Sequence, residues 1–193
     1  MILDIGAGTG NYSCAIAEKF PQARVIHIDN DIGMNSIAER KKINRNLENL
    51  EVKTLDIDQL IFDENSVKAL ISIHSVYTLP EPINTLKAMY KWMSPGGYGI
   101  IVDPGRKVNV LQWQLAIGSE LIRKYGILKT VKILREGKGV SKQNKAIRKL
   151  QDEGKYWVHT HDEFCQVIKD LSYKTVESKT TFRDISDLVV VTK

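Results

Sequence analysis

The sequence predicts a doubly wound α/β fold, a single domain in which one sheet lies between two layers of helices. Three observations predict it. A short apolar strand over Ile2–Ile5 runs into glycines at 6, 8 and 10, and helical periodicity follows over residues 12–20. Further short apolar runs then alternate with helical segments, which is the pattern of parallel strands joined by crossover helices. One of these runs, residues 69–74, is apolar on both faces, as a central parallel strand must be.

The elements follow in order. Residues 24–28 form a second strand ended by Asp29, and 51–55 form a third ended by Asp56. After the fourth strand comes a loop over 75–80. A helix opens at Glu81-Pro82, where a proline in the first turn loses no hydrogen bond, and it runs to Trp92. Ser94-Pro95-Gly96-Gly97 is expected to stop the chain hard before a fifth strand over 98–102, ended by Asp103. Three helices are expected over 108–124, 128–135 and 141–153, with Gly137-Lys138-Gly139 as a hinge and Gly154 as the closing cap. The first carries Val110, Gln114, Ile117 and Leu121 on one stripe, with Leu111, Leu115 and Ile122 beside it. Thr160 and Glu163 form a capping box for a helix reaching about Leu171. Residues 174–182 and 188–192 are the last two strands.

The chain of 193 residues, 42% apolar, is long enough to bury a core. Its net charge of +5 is unevenly placed. Residues 106–155 hold 13 Lys and Arg against 4 Asp and Glu, a local +9, so the remainder is acidic. The plain reading is solvated faces of lid helices. A site for an acidic substrate is the next reading, followed by nucleic acid or an anionic membrane surface. No apolar run is long enough to span a bilayer, and no signal peptide precedes the first strand. Cys14 and Cys165 lack metal-ligand spacing, so a reducing cytoplasm is the expected compartment. No metal is expected. His159-Thr160-His161-Asp162 reads as the helix cap rather than as a ligand set.

The run Asp4-Ile5-Gly6-Ala7-Gly8-Thr9-Gly10-Asn11 departs from the dinucleotide fingerprint, which needs a sixth-position glycine where Asn11 stands. That spacing argues against a nicotinamide dehydrogenase. The run closely resembles the nucleotide-binding loop of the class I S-adenosylmethionine-dependent methyltransferases. The acid ending the second strand and the Lys91-to-Asp103 helix, Pro-Gly-Gly turn and strand are similar to later landmarks of that family, in register over about residues 1–103. The resemblance implies a Rossmann-like, seven-stranded sheet, mostly parallel with an antiparallel last strand. It implies S-adenosylmethionine as cofactor and S-adenosylhomocysteine as product. It places the cofactor on Asp4, Gly6, Ala7, Gly8 and Gly10 of the loop. It adds Asp29 at the ribose, Asn30 and Met34 near the adenosine, Asp56 and Ile57 at the adenine, and Ile73 and His74 at the fourth strand end. A leading helix is also implied that this sequence does not carry, so the site is expected to be more open to water.

For chemistry, the best placed groups are His74 and Tyr77, both at the carboxyl end of the fourth strand, where open α/β sheets bind ligands. The family's base-flipping Asn/Asp-Pro-Pro-Tyr signature is absent at 74–77, as are a Pro-Cys nucleophile and paired glutamates. The loop over 74–82 instead looks like that of small-molecule and quinone- or lipid-type methyltransferases. The expected activity is methyl transfer to an O, N or C atom of a small molecule. Two alternatives are an RNA methyltransferase using the basic insert and a non-catalytic cofactor-binding subunit. Trp113 and Trp157 flank the insert and could shape an apolar substrate pocket, and a homodimer is compatible with the sequence.

Overall fold

The computed structural model describes residues 1–107 and 110–193, with the side chains at 58, 110–112, 138, 140, 141 and 143 outside the description. Seven strands form one sheet in the order β3-β2-β1-β4-β5-β7-β6. They are β1 (Ile2–Ile5), β2 (Val25–Asp29), β3 (Leu50–Thr54), β4 (Val67–Ile73), β5 (Met93–Pro104), β6 (Lys174–Thr181) and β7 (Ser186–Thr192). The helices are α1 (Asn11–Lys19), α2 (Ile32–Asn44), α3 (Pro82–Trp92), α4 (Val110–Glu136), α5 (Lys138–Asp152) and α6 (His161–Asp170). Strands β1 to β5 pair in parallel, and β7 runs antiparallel to both its neighbours. The strand order reverses between β1 and β4, so their carboxyl ends open the crevice in which such sheets hold ligands.

Apolar alternation explains why the sheet is buried. Leu3 and Ile5 of β1, Ile26 and Ile28 of β2 and Ile101 of β5 share one cluster with Leu86 and Met89 of α3 and Phe164 and Ile168 of α6. Each such side chain stabilises the fold by about 1.5–3 kcal/mol relative to exposure. A second cluster joins Cys14 and Ala17 of α1 to Val25 and Leu50.

The structure corrects three local expectations. The third strand ends at Thr54, not at Asp56. Leu55 still donates to the Asp29 carbonyl, but Asp56 turns its carboxylate to its neighbour's amide and caps a short 3-10 turn. Ser94 to Gly97 do not stop the chain, because they bulge within β5 between Met93, paired with Val67, and Tyr98, paired with Ala69. Gly96 sits there at φ 68°. The expected helices 108–124 and 128–135 are borne out as the two stretches of α4, which meet at Gly126, whose φ of 77° and ψ of 168° are not helical; Val108 lies outside the described residues. The hinge at 137–139 shrinks to Gly137, which caps α5, so that helix starts three residues earlier than expected.

Candidate functional site

The glycine loop is shaped by its backbone. Gly6, Gly8 and Gly10 have φ of 65°, 55° and 75°, in the left-handed region that side chains disfavour. A Cβ on Gly6 would lie 1.8 Å from Ser75 Oγ, so this glycine lets the loop after β4 cross the end of β1. A Cβ on Gly8 would meet nothing within 4 Å and would project into open space. The Gly8 amide donates to Asp29 Oδ2 at 2.8 Å, and the Asp31 amide donates to Oδ1 at 2.9 Å. These bonds fix the carboxylate at the lip of the loop. Lys41 of α2 closes the far side, its Nζ donating to the Thr9 carbonyl at 2.8 Å and to Asn11 Oδ1 at 2.5 Å.

A chain of buried polar side chains ties this loop to the sheet. Asp4 Oδ2 and Ser13 Oγ are 2.5 Å apart, Ser13 Oγ and His27 Nδ1 3.0 Å, and His27 Nε2 and Asn35 Oδ1 2.8 Å. Asn35 Nδ2 donates to the Asp29 carbonyl and to Thr54 Oγ1. The Asn35 oxygen must therefore accept, which puts a proton on His27 Nε2. Ser13 has one hydroxyl proton. It points at His27 if Asp4 is protonated, and at Asp4 if His27 Nδ1 is. Burial pushes the Asp4 carboxyl up to about 6, against the opposing pull of Ser13, and burial holds His27 below its usual value.

His74 follows β4 with φ 56°, a strained value for a residue other than glycine. Two bonds hold it there. Its amide donates to the Val102 carbonyl at 2.6 Å, and the next amide, of Ser75, donates to Asp103 Oδ1 at 3.0 Å. Asp103 is fully buried; burial raises its carboxyl to about 8 despite the amides of Tyr77, Ser75 and Val76 turned toward it. Burial also lowers His74, so its imidazole is neutral near pH 7. Its Nε2 lies 3.3 Å from Ser186 Oγ, and its ring meets Phe182 edge-on at 4.9 Å.

Most of the residues singled out in the sequence converge. Asp4, Gly6, Ala7, Gly8, Asp29, Asn30, Met34, Ile73 and His74 line one cleft, and Asp56 and Ile57 line its continuation with Gly6, Asp29 and His74. Gly10 does not line either. It is buried, and a Cβ there would lie 2.9 Å from that of Ala38, so it serves the packing of α1 on α2. Tyr77 is on the other side of His74, in a separate half-open pocket of about 190 Å³. That pocket takes His74 and Ser186 with Trp113 of α4, Ile147 of α5 and Phe182. Burial first, then Tyr156 and Asp103, push the Tyr77 phenol up to about 12, so it donates a hydrogen bond at neutral pH but does not take up a proton.

Trp157 does not join this pocket; it packs on Phe164 and His159. Thr160 caps α6 with a full capping box, as expected. His159 and His161 both face Asp187, which also pairs with Arg106. Lys107 and Arg148 of the basic segment pair with Asp152, and Lys155 pairs with Glu153. Sequence reasoning missed Lys41, Ser13, His27, Asn35 and Ser186. The strand-end position of Asp103 was visible, but not the amides it gathers.

A glycine loop, an acid at the tip of the adjacent strand and a crevice at the strand-order reversal define a nucleoside-binding α/β protein of the doubly wound class. Residues 2–97 match the family model of a methyltransferase domain. The chain is 30% identical over 102 residues to a demethylmenaquinone methyltransferase of Oceanobacillus iheyensis, covering 52% of this chain and 43% of that one. It is 30% identical over 96 residues to a trans-aconitate 2-methyltransferase of Deinococcus radiodurans, covering 50% and 34%. The structure of a S-adenosylmethionine-dependent methyltransferase from Aquifex aeolicus superimposes with a TM-score of 0.64 over 98% of this chain and 80% of that one, at 16% identity. The chain belongs to the class I S-adenosylmethionine-dependent methyltransferase family. It spans less than half the length of these curated relatives.

Proposed function

We propose that this chain binds S-adenosylmethionine and transfers its methyl group to an O, N or C atom of a small molecule. One observation carries the reading: His74 belongs to both the glycine-loop cleft and the pocket beyond it, so a neutral base stands between a nucleoside site and an acceptor site. The residues fit the cofactor. Gly8 leaves open space where a side chain would stand, and each Asp29 oxygen bonded to an amide keeps a lone pair for a ribose hydroxyl. Asp56 and Ile57 would meet the adenine, Met34 and Ile73 the apolar faces, and Asp4 stands behind the loop. When bound, the sulfonium supplies a methyl group that is already activated. The protein orients the acceptor and excludes water, and orientation is worth up to roughly 7–11 kcal/mol of barrier. His74 accepts the acceptor's proton, worth about 10²–10⁴-fold.

The similarity to two small-molecule methyltransferases supports this class of acceptor. Among the described residues no helix is long and apolar enough to cross a membrane. Two free cysteines suit a reducing compartment, the cytoplasm. Titration calorimetry with S-adenosylmethionine and S-adenosylhomocysteine tests the reading, and both are expected to bind one site per chain. Gly6→Ala forces a Cβ into Ser75 and should remove that binding; unchanged binding in this variant would place the ligand elsewhere.

A further inference from the structure

The pocket beyond His74 has a composition that selects its occupant. Its walls are apolar or aromatic: Trp113, Phe182, Tyr77, Ile147 and Ile185. Its polar groups are few and uncharged at neutral pH: Asn144 on α5, the Tyr77 hydroxyl, and the His74–Ser186 pair. Among the described lining residues there is no Lys, Arg, Asp or Glu. A carboxylate or phosphate entering here would lose its water and meet no cation, at a cost of several kcal/mol. Three cations of the basic segment, Lys107, Arg148 and Lys155, are engaged elsewhere, in pairs with Asp152 and Glu153. The neighbouring Arg183 guanidinium lies over the Trp113 ring, 5.8 Å from its centre. Size agrees with chemistry. An enclosed apolar cavity of about 150 Å³ takes one benzene ring, so this half-open space of about 190 Å³ admits an aromatic ring with its remainder toward the mouth.

Resting on the methyltransferase reading, we propose that the acceptor is an uncharged aromatic compound bearing a hydroxyl group, its ring held against Trp113 and Phe182 and its hydroxyl at the His74–Ser186 pair. The hydroxyl oxygen gains the methyl carbon as that carbon's bond to sulfur breaks onto sulfur, and the hydroxyl proton passes to Ser186 Oγ as the Ser186 proton passes to His74 Nε2, 3.3 Å away. Ser186 therefore relays the proton, because the single lone pair of Nε2 faces its hydroxyl. The basic segment by itself pointed to an acidic acceptor, whereas the lining of the pocket points to a neutral one.

The full chain is first titrated with S-adenosylhomocysteine, then, once saturated, with 2-naphthol or with 2-naphthoate at neutral pH. The two probes share a ring system and differ in charge. Expected is 2-naphthol binding at least tenfold tighter than 2-naphthoate. Trp113→Ala should weaken 2-naphthol at least tenfold and Trp113→Phe less than threefold. Retained S-adenosylhomocysteine binding in each variant shows that it is folded. Tighter binding of 2-naphthoate would overturn the proposal and assign an anion site near Arg183. Binding of 2-naphthol that is indifferent to Trp113→Ala, or no binding of it at all, would also overturn it. Failure of the first titration would instead strike the cofactor reading, so the two failures are distinguishable.

Discussion

At His74 the left-handed backbone and the lowered imidazole serve the same end. The turn carries the ring to the junction of cleft and pocket, and burial keeps it unprotonated near pH 7. The protonated form returns as pH falls through the lowered value, so the rate of methyl transfer should drop on the acid side, below 6.5, and not before. Asparagine tolerates a positive φ, which makes His74→Asn the cleaner substitution. Its rate should fall by about 10²–10⁴-fold and the acid limb should vanish, with S-adenosylhomocysteine affinity changing by less than about tenfold. A surviving acid limb would remove His74 from the chemistry. Asp103 has the opposite sign of shift. Its folded carboxyl, raised from 3.8 to about 8, keeps a proton that the unfolded chain has released, so folding stability declines as pH rises through that interval. Asp103→Asn still accepts from Ser75 and has no such proton. Its stability relative to the parent should therefore improve from pH 5 to pH 8 in urea unfolding; a difference independent of pH would show that the carboxyl titrates normally. Neither behaviour was legible in the residue types alone. The sequence places both groups at strand ends, but burial and amide direction arise only from the packed neighbours.

Helix α4 is where element and environment part company. The sequence pattern located its break, because Gly126 lies between the two helical stretches, and φ of 77° bears this out. What pattern could not tell is what the apolar stripe would meet. Leu115 beside that stripe is 67% exposed, and beyond the break Ile127 and Leu128 are 67% and 90% exposed. Strand ends were misjudged for two reasons: Asp56 spends its carboxylate on the amide of its own neighbour and caps a local turn, and 94–97 bulge within β5 where the Gly96 amide donates to the Lys193 carbonyl. The left-handed glycine loop and the Asp29 carboxylate at its lip were legible because both follow from local backbone geometry and spacing. For the kink, Gly126→Ala puts a Cβ at a positive φ and should destabilise by about 1–3 kcal/mol. Leu128→Glu changes a side chain that is already in solvent and should stay within about 0.5 kcal/mol of the parent. Chemical unfolding of both variants checks the pair. A large loss for Leu128→Glu would mean that this stripe is covered in solution.

Across the whole molecule, stability and ligand binding are joined through the half-sheet β1-β2-β4, because the cleft is built on the ends of strands whose side chains form the main core. A ligand that binds only the folded state at about 100 times its Kd adds about 2.7 kcal/mol to global stability. Amides in the centre of β1 and β4 are paired on both sides and exchange chiefly through global unfolding. Their exchange should therefore slow about a hundredfold when S-adenosylhomocysteine saturates the site. Residues 127–136 of α4 have a different route. Apart from Thr130 and Ile133 their side chains lie in solvent, and the Gly126 break separates them from the half of α4 that carries Trp113 to the pocket beyond His74. They should open locally and exchange at the same rate with or without that ligand. Hydrogen exchange read by mass spectrometry on the same samples resolves the two segments. Slowing confined to the half-sheet fits a cofactor seated on the glycine loop alone. Equal slowing in 127–136 would mean that the broken helix folds down onto the ligand, and no slowing in β1 and β4 would mean that the cleft does not bind it.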